Sequence, residues 1–365
     1  MINVLNIVDS LGTGGTEKVL MNTISNTYKT VNHTIMIKNT NRNIYQDYLE
    51  KLDIKIIIAP PFTEYFNHSK FVNNYLKENK ASIDIIHYYG GSLNYYLPIR
   101  LANKYDIPII IHSHNSQAAN HNLKIMHQLF RAFHNRFGKS YNIACSEEAG
   151  KWMFGDSKYD LVINGIDIDK YRYNSVRGLN IKNQFFSKDA KVIGNFGRFN
   201  RQKNQKYLID FLAYIRKTSQ DYYLLLIGEG ELEEPIREQI ENLNLNEFVK
   251  ILDFQQNIED YYGVIDAFMM SSLFEGLPLV LIEAQAAGVP LLISDEVDKS
   301  IQANGNVEFF NLNDDESLVY EKLVKILESG RQVSSLYGGQ FDVKVMSKKI
   351  LDLYLKILKE DSSNI

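Results

Sequence analysis

The sequence contains a single cysteine, Cys145, among its 365 residues. One cysteine cannot form an intramolecular disulfide or a cysteine-rich metal cluster, so neither of these stabilises the chain. The sequence also lacks any apolar run of about 18 residues, and it has no basic N-terminal segment followed by an apolar one, which argues against a membrane-spanning helix and a secretory signal. We therefore expect a protein of the reducing cytoplasm whose membrane contact would have to be peripheral.

The sequence has no large excess of positive charge, since its formal net charge is −4. This balance argues against a dedicated nucleic-acid-binding protein. We find no short-period internal repeat and no low-complexity tract. With 45% hydrophobic residues, the chain is long enough for two domains that each bury a core.

Acidic residues are missing altogether from residues 116–146. The basic residues of this segment include Lys124, Arg131, Arg136 and Lys139. Its apolar residues recur at helical spacing, namely Met126, Leu129, Phe130, Phe133 and Phe137. Two interpretations remain open: a helix over about 122–138 that contacts an anionic membrane surface, or a helix whose aromatic face packs on its own domain.

Strand and helix patterns alternate along the chain, beginning with a buried strand over residues 2–10 and a glycine-rich loop that opens a helix. A later helix is predicted from about Ser92 to Lys104. Such alternation predicts an α/β fold with parallel sheets, in which ligands bind beyond the carboxyl ends of the strands. His87, His112 and His114 all fall at predicted strand ends. We expect His112 and His114 to point to opposite faces of their strand, so that one of the two is structural.

Residues 274–290, FEGLPLVLIEAQAAGVP, combine two carboxylates with signals for the start and the end of a helix. We expect a buried strand that ends near Met270, and then a loop. A helix should begin at Pro278 or Leu279 and end before Gly288, because proline suits a first helical turn and glycine the position just past the end.

The start of this predicted helix is a candidate anion site, because unsatisfied amides and the helix dipole favour a phosphate there. The first-turn amides belong to Leu279, Val280 and Leu281. Glu283 lies one turn further in, where it can reach a hydroxylated group beside a phosphate, and Glu275 and Gly276 face the ligand from the loop. Taken alone, the spacing also fits an amphipathic helix with two solvated glutamates.

Glu275 and Glu283, separated by seven residues, resemble the signature of the retaining GT-B glycosyltransferases of family 4, the group 1 enzymes of capsule and exopolysaccharide biosynthesis. The resemblance implies two Rossmann-like, doubly wound domains that face each other across a cleft. Residues 1–167 would form the acceptor domain, on which a C-terminal helix of about 343–360 packs back. Residues 168–342 would form the donor domain.

Further motifs match this family along the whole chain. Gly14, Gly15 and Glu17 match its GG-x-E element near the donor diphosphate, and His114 matches its active-site histidine, which contacts the donor sugar. Arg198 and Lys203 match the GR-x(4)-KN element that holds the diphosphate in this family. The resemblance thus assigns donor binding to Gly14, Gly15, Arg198, Lys203, Glu275, Gly276, Leu279, Val280 and Glu283, with His114 and Glu275 as catalytic residues. Pro278 departs from the glycine that many members carry.

The resemblance implies a hexosyltransferase that moves a hexose or N-acetylhexosamine from a nucleotide-sugar, most simply a UDP-sugar, to a lipid-linked glycan. It would act in the cytoplasm, on the inner face of the cell membrane, without nucleic acid. No cofactor or metal is expected, because two cations beside a helix start can stabilise the leaving diphosphate. Asp167 and Asp169 form a D-x-D triplet that belongs to the domain crossover, and we do not interpret it as a metal site.

Two other functions stay open from the sequence. A nucleotide-sugar epimerase can share the fold and the donor site, and it would convert the donor without an acceptor. A non-catalytic partner subunit of a glycosyltransferase should have lost the donor-site side chains, yet Arg198, Lys203 and Glu283 are present.

Overall fold

The computed structural model describes residues 1–12, 14–38, 43–117, 120–255, 257–275, 277–332, 336 and 338–362. The chain divides into two compact units. Unit 1 comprises Met1–Gly165 and Val343–Ile365, and unit 2 comprises Ile166–Asp342. The boundary after residue 165 lies two residues before the one that the sequence predicts.

Unit 1 alternates strands and helices. Its strands are β1 (Ile2–Val8), β2 (Val31–Ile37), β3 (Lys55–Ile58), β4 (Ile85–Gly90), β5 (Ile109–Ser113), β6 (Tyr141–Ala144) and β7 (Asp160–Leu161). Its helices are α1 (Gly15–Thr27), α2 (Gln46–Lys51), α3 (Tyr65–Asn79), α4 (Leu97–Lys104), α5 (His121–Phe137), α6 (Glu147–Phe154) and the C-terminal α13 (Val343–Ser362). Helix α13 contacts α1.

In the described part of unit 1, the strands form one parallel sheet in the order β3-β2-β1-β4-β5-β6-β7. Every residue of β4 and β5 is buried. Strands covered on both faces read as continuous apolar runs, which is why these two have no polar alternation. The order reverses between β1 and β4, so the loops that follow these strands meet at a topological switch point.

Unit 2 repeats the pattern. Its strands are β8 (Lys191–Phe196), β9 (Tyr222–Ile227), β10 (Val249–Leu252), β11 (Ala267–Met270), β12 (Leu291–Ser294) and β13 (Val307–Phe310). Its helices are α7 (Ser175–Phe185), α8 (Gln205–Ile215), α9 (Glu233–Asn242), α10 (Ile258–Tyr261), α11 (Leu279–Ala286) and α12 (Glu316–Ser329).

The described strands of unit 2 form a parallel sheet in the order β10-β9-β8-β11-β12-β13. The order reverses between β8 and β11, and the loops after these two strands therefore meet at the switch point of this unit. The core beneath them is apolar and includes Phe199, Leu212 and Leu226, each no more than 1% exposed. This core anchors the segments that carry the donor-binding motifs predicted from the sequence.

Candidate active site

The loops after β8 and β11 are joined by hydrogen bonds at the switch point of unit 2. The Asn204 side chain donates to the Ser271 carbonyl at 3.1 Å, and the Ser271 hydroxyl donates back to the Asn204 carbonyl at 2.9 Å. The Gln202 side chain donates to the Phe274 carbonyl at 2.9 Å. These bonds hold residues 198–204 and 271–275, which lie far apart in the sequence, as one rigid site.

Lys203 and Glu275 form an ion pair across these two loops. The Lys203 ammonium lies 2.7 Å from Glu275 Oε1, and the two side chains are only 16% and 8% exposed. The Ser272 hydroxyl donates to the same carboxylate oxygen at 2.9 Å. Burial of an unpaired charge is costly, and here each charge compensates the other. The structure thus brings a cation and a carboxylate predicted for the donor site into direct contact.

Arg198 occupies a different environment from Lys203. Its guanidinium lies 3.7 Å from Glu231, and the two side chains are 72% and 60% exposed. Exposed pairs of this kind contribute little stability, so Arg198 can exchange this partner for another anion. The backbone around it is constrained, because a Cβ on Gly228 would lie 2.0 Å from the Gly197 carbonyl oxygen.

Helix α11 begins at Leu279 after Pro278 and ends at Ala286, and Gly288 follows with a left-handed φ of +72°. The predicted start and end of the helix are confirmed. The amide of Leu281 donates to the Pro278 carbonyl at 3.1 Å, so the prediction that this amide is free to bind a ligand is wrong. The earlier amides of Leu279 and Val280 remain as the candidate donors for an anion. Gly276, predicted to bind the donor, lies outside the described residues.

Glu283 is buried inside α11, with 1% of its surface exposed. The Tyr262 hydroxyl donates to Glu283 Oε2 at 2.8 Å. Burial, with the Glu283 charge beside it, raises the pKa of Tyr262 well above 10 and keeps this hydroxyl a donor. The alternative of an amphipathic helix with two solvated glutamates is therefore wrong, because both carboxylates are buried and paired.

The glycine-rich loop of unit 1 places Gly14 and Gly15 at the start of α1. Glu17, in the first helical turn, accepts a hydrogen bond from the Ser10 hydroxyl at 2.6 Å. A Cβ on Gly14 would lie 2.3 Å from a Glu17 carboxylate oxygen, so glycine lets this carboxylate fold back over the loop. The loop lies at the β1/β4 switch point, where a ligand of this unit would bind.

His114 follows β5 directly and is 9% exposed. Its ring centroid lies 4.1 Å from that of His112. The expectation that these two side chains point to opposite faces is wrong, because residues two apart along an extended strand share a face. Among the described residues, neither ring nitrogen of His114 has a hydrogen-bond partner, and burial lowers its pKa to about 3.

Comparison with known proteins bears on this arrangement directly. The family described as glycosyl transferases group 1 matches residues 177–330, the segment that carries Arg198, Lys203, Glu275 and Glu283. EpsF of Bacillus subtilis strain 168, named as a glycosyltransferase, is 28% identical over 350 residues, which cover 90% of this chain and 88% of EpsF. Residues 177–330 thus match the group 1 glycosyltransferase family, and the chain is a glycosyltransferase.

Other relatives of this glycosyltransferase have more specific names. An Escherichia coli UDP-Gal:alpha-D-GlcNAc-diphosphoundecaprenol alpha-1,3-galactosyltransferase is 25% identical over 214 residues, which cover 55% of each chain. The structure of Anabaena HepE in complex with UDP-glucose superposes with a TM-score of 0.81 at 19% identity, covering 98% of this chain and 100% of HepE. That likeness confirms the fold class predicted from the sequence, GT-B with Rossmann-like domains.

Helix α5 of the glycosyltransferase turns a polar face inward. His127 and His134 are buried, and His127 accepts from the Leu93 amide at 3.0 Å. Arg131 is also engaged, since its guanidinium donates to the Trp152 carbonyl at 3.1 Å. The exposed apolar residues of the helix are Ile125, Met126, Leu129, Phe133 and Phe137, which are 40–68% exposed. Of the predicted aromatic face, Phe130 stacks on Tyr96 with centroids 5.5 Å apart.

Tyr262 and Ser272 donate hydrogen bonds to the two signature glutamates of the glycosyltransferase, and neither residue is predicted from the sequence. Ser272 offers a weak signal, because it follows the predicted strand that ends at Met270. Tyr262 offers none, since it stands in an unremarkable polar stretch before that strand. Among the described residues, no group of histidine, cysteine or acidic side chains is arranged to hold a metal ion.

Proposed function

We propose that this enzyme is a retaining hexosyltransferase that moves a hexose or N-acetylhexosamine from a UDP-sugar to a lipid-linked glycan in capsular or exopolysaccharide biosynthesis. The observation that carries the proposal is the buried Lys203–Glu275 pair beside the start of α11, with Glu283 one turn further along. A diphosphate would contact Lys203, Arg198 and the first amides of α11. The ribose would contact Glu283, and the transferred sugar would contact Glu275.

Two relatives support UDP as the nucleotide. HepE has the same fold and was crystallised with UDP-glucose, and the Escherichia coli galactosyltransferase is named for UDP-Gal. Within this chain, residues 252–254, which begin at the last residue of β10, resemble the segment where the family places the base. We assign them that role here.

The proposed chemistry depends on charge rather than on a protein nucleophile. Glu275 is tied to Lys203 and Ser272, so it suits hydrogen bonding to a sugar better than attack on the anomeric carbon. The acceptor hydroxyl would attack the face that the diphosphate leaves, and the leaving diphosphate would take the hydroxyl proton. Lys203 and Arg198 would stabilise the charge that develops on the diphosphate, and no metal is needed for this. His114 would orient the sugar.

The lipid-linked acceptor is supported by two adjoining surface grooves in unit 1. One has a volume of about 260 Å³ and an aromatic and aliphatic lining that includes Phe62, Tyr96 and Phe130. The other, of about 410 Å³, is lined by Lys70, Arg100 and Lys104 without any acidic residue. Arg100 lines both grooves. An apolar surface beside a cationic one matches an amphiphile with a phosphate group.

We place the enzyme on the cytoplasmic face of the membrane, held there by α5. The exposed apolar residues of α5 would enter the interface, and Lys124, Arg136 and Lys139 would face anionic headgroups. None of the described helices is both long enough and apolar enough to cross a bilayer. The acceptor named for the Escherichia coli relative, a diphosphoundecaprenol-linked sugar, would lie at the same surface.

A donor screen tests the proposal. UDP-, GDP- and ADP-sugars would be compared by thermal shift, and a UDP-sugar should raise Tm most, because a ligand that binds the folded state stabilises it. The selected donor is then incubated with a lipid-linked glucosaminyl diphosphate, with and without EDTA. We expect an α-linked product by NMR in both cases. A β-linked product, loss of turnover in EDTA that Mn²⁺ restores, or conversion of the donor without acceptor would each contradict part of it.

A further inference from the structure

A hydrogen-bonded chain in unit 1 links the C-terminal helix to the predicted active-site histidine. Tyr354, on α13, is fully buried, and its hydroxyl lies 2.6 Å from His87 Nδ1. His87 Nε2 lies 3.3 Å from His112 Nδ1. Both histidines are 0% exposed and lie on neighbouring strands, β4 and β5. A side chain of α13 therefore contacts the centre of the sheet.

The hydrogen bonds of this series share one direction if the Tyr354 hydroxyl is the donor to His87. Burial raises the pKa of Tyr354 well above 10, so its hydroxyl keeps a proton that it can donate to His87 Nδ1. Burial also holds the pKa values of His87 and His112 well below 6.5, so each ring carries one proton at neutral pH. With Tyr354 as the donor to Nδ1, the proton of His87 is on Nε2, which donates to His112 Nδ1. His112 in turn carries its proton on Nε2.

The hydrogen-bonded series that begins at Tyr354 ends beside His114. Among the described residues, His112 Nε2 and both ring nitrogens of His114 have no hydrogen-bond partner. The ring of Tyr89 stacks on His87 with centroids 4.2 Å apart and lies parallel to His114, within 9°, at 5.7 Å. His114 therefore packs against both Tyr89 and His112. Buried polar groups without partners are uncommon in proteins and mark positions where a ligand can supply the missing bond.

We propose that Tyr354, His87 and His112 are positioning residues for His114. The Tyr354 hydroxyl selects the tautomer of His87, and His87 selects that of His112. A fixed His112 ring, together with Tyr89, then holds the His114 imidazole in the orientation that contacts the donor sugar. The inference rests on the proposed role of His114 in the glycosyl transfer, and it makes α13 part of the catalytic apparatus of unit 1.

Histidine tautomers give a test that does not depend on activity. In ¹⁵N-histidine spectra of the wild-type protein, His87 and His112 should both carry the proton on Nε2 alone. In Tyr354→Phe, which removes only the hydroxyl, His87 should lose this single tautomer. A wild-type spectrum with the proton of His87 on Nδ1 would contradict the proposed donor order from Tyr354 through His87 to His112, whether or not the variant folds.

Kinetics separate the positioning role from a packing role. The readout is UDP release from the UDP-sugar that gives the largest thermal shift. Tyr354→Phe should lower kcat by roughly 10- to 100-fold through misalignment, with KM for the donor unchanged. Tyr141→Phe is the matched control. The Tyr141 hydroxyl donates at 2.8 Å to Glu360, which also lies on α13 but takes no part in the hydrogen bonds between Tyr354, His87 and His112. This variant should leave both constants unchanged.

The outcomes distinguish this inference from the proposed function. Wild-type turnover in His114→Gln would remove His114 from the reaction and the positioning role with it, while the nucleotide site in unit 2 would stand. An impaired His114→Gln together with wild-type kcat in Tyr354→Phe would overturn the positioning role alone. Equal losses of kcat in Tyr354→Phe and Tyr141→Phe would also overturn it, because they would indicate general damage to α13.

Discussion

The ammonium of Lys203 and the carboxylate of Glu275 lie 2.7 Å apart, and both side chains are largely buried. In the proposed complex these residues serve different parts of the donor, the diphosphate and the sugar. Without donor, each compensates the charge of the other. In that complex Lys203 would exchange its carboxylate partner for the diphosphate, so the two residues should not behave independently.

This pair predicts opposite effects for two substitutions. Lys203→Met should weaken binding of free UDP by roughly 1.5–3 kcal/mol, the contribution of a hydrogen bond to a charged group. Glu275→Gln should lower turnover but bind free UDP at least as tightly as wild type, because Lys203 loses a competing anion. Calorimetry with UDP and UDP-release assays measure both. A similar loss of UDP affinity in the two variants would show that the pair acts only as a structural unit.

Glu283 should matter to the nucleotide itself. Glu283→Gln keeps the size of the side chain but removes a charged acceptor, so UDP affinity should fall by roughly 1.5–3 kcal/mol. The matched control is Tyr262→Phe, which removes the hydroxyl that donates to Glu283 and retains the carboxylate. That control should lower Tm yet keep most of the UDP affinity. Unchanged calorimetric affinity in Glu283→Gln would exclude a contact between Glu283 and the ribose.

Membrane contact through α5 can be tested by charge reversal. The residues to replace with glutamate are Lys124, Arg136 and Lys139, which are exposed. The variant should sediment less with phosphatidylglycerol vesicles, since each cation contributes about 1 kcal/mol near an anionic surface. Residual binding should weaken further with salt. Arg131 is a poor choice, because its guanidinium supports the Trp152 carbonyl.

The control for this experiment reverses two exposed cations elsewhere in unit 1. Lys348 and Lys349 lie on α13 and are also exposed. Replacing both with glutamate should leave vesicle binding nearly intact if α5 is the contact. Equal losses in the two variants would instead indicate a diffuse electrostatic attraction without a docking helix.

The buried histidines make stability depend on pH. Burial lowers the pKa of His33 to about 4 and that of His114 to about 3, and it holds those of His87 and His112 well below 6.5. Unfolded imidazoles titrate near 6.5, so below that pH the unfolded chain binds protons that the folded protein does not. The stabilisation is complete above about pH 6.5 and declines as the pH falls towards the folded-state pKa values.

Urea unfolding between pH 7 and pH 4 measures this effect. The free energy of unfolding should fall with pH by roughly 1.4 kcal/mol per pH unit for each buried imidazole. His33→Gln should reduce the dependence of the unfolding free energy on pH by the contribution of one imidazole, roughly 1.4 kcal/mol per pH unit. A free energy that stays constant from pH 7 to pH 5 would mean that these histidines are accessible to protons in the folded state.

Local patterns in the sequence determined much of the fold. The alternation of strands and helices, the limits of α11 and the strand that ends at Met270 follow from side-chain periodicity, from proline in a first turn and from a glycine with positive φ. These features depend on backbone sterics within a few residues. The spacing of Glu275 and Glu283, together with motifs elsewhere in the chain, also identified the resemblance to the family.

Element boundaries that depend on distant partners were predicted less well. Helix α4 begins at Leu97, five residues after the predicted start at Ser92. The preceding loop is held away from helical geometry by neighbours in the fold. The Gly91 carbonyl accepts from the Trp152 indole at 2.9 Å, and the Leu93 amide donates to His127. No sequence pattern within residues 91–96 predicts these contacts.

The tertiary structure alone decided which residues of the site act together. The sequence placed Lys203, Glu275 and Glu283 in one site by family resemblance, but it could not pair Lys203 with Glu275 or Tyr262 with Glu283. It also could not show that α5 buries its histidines and exposes its apolar residues. Periodicity reports which residues share a face, whereas the partner of each face is set by chain segments that only folding brings together.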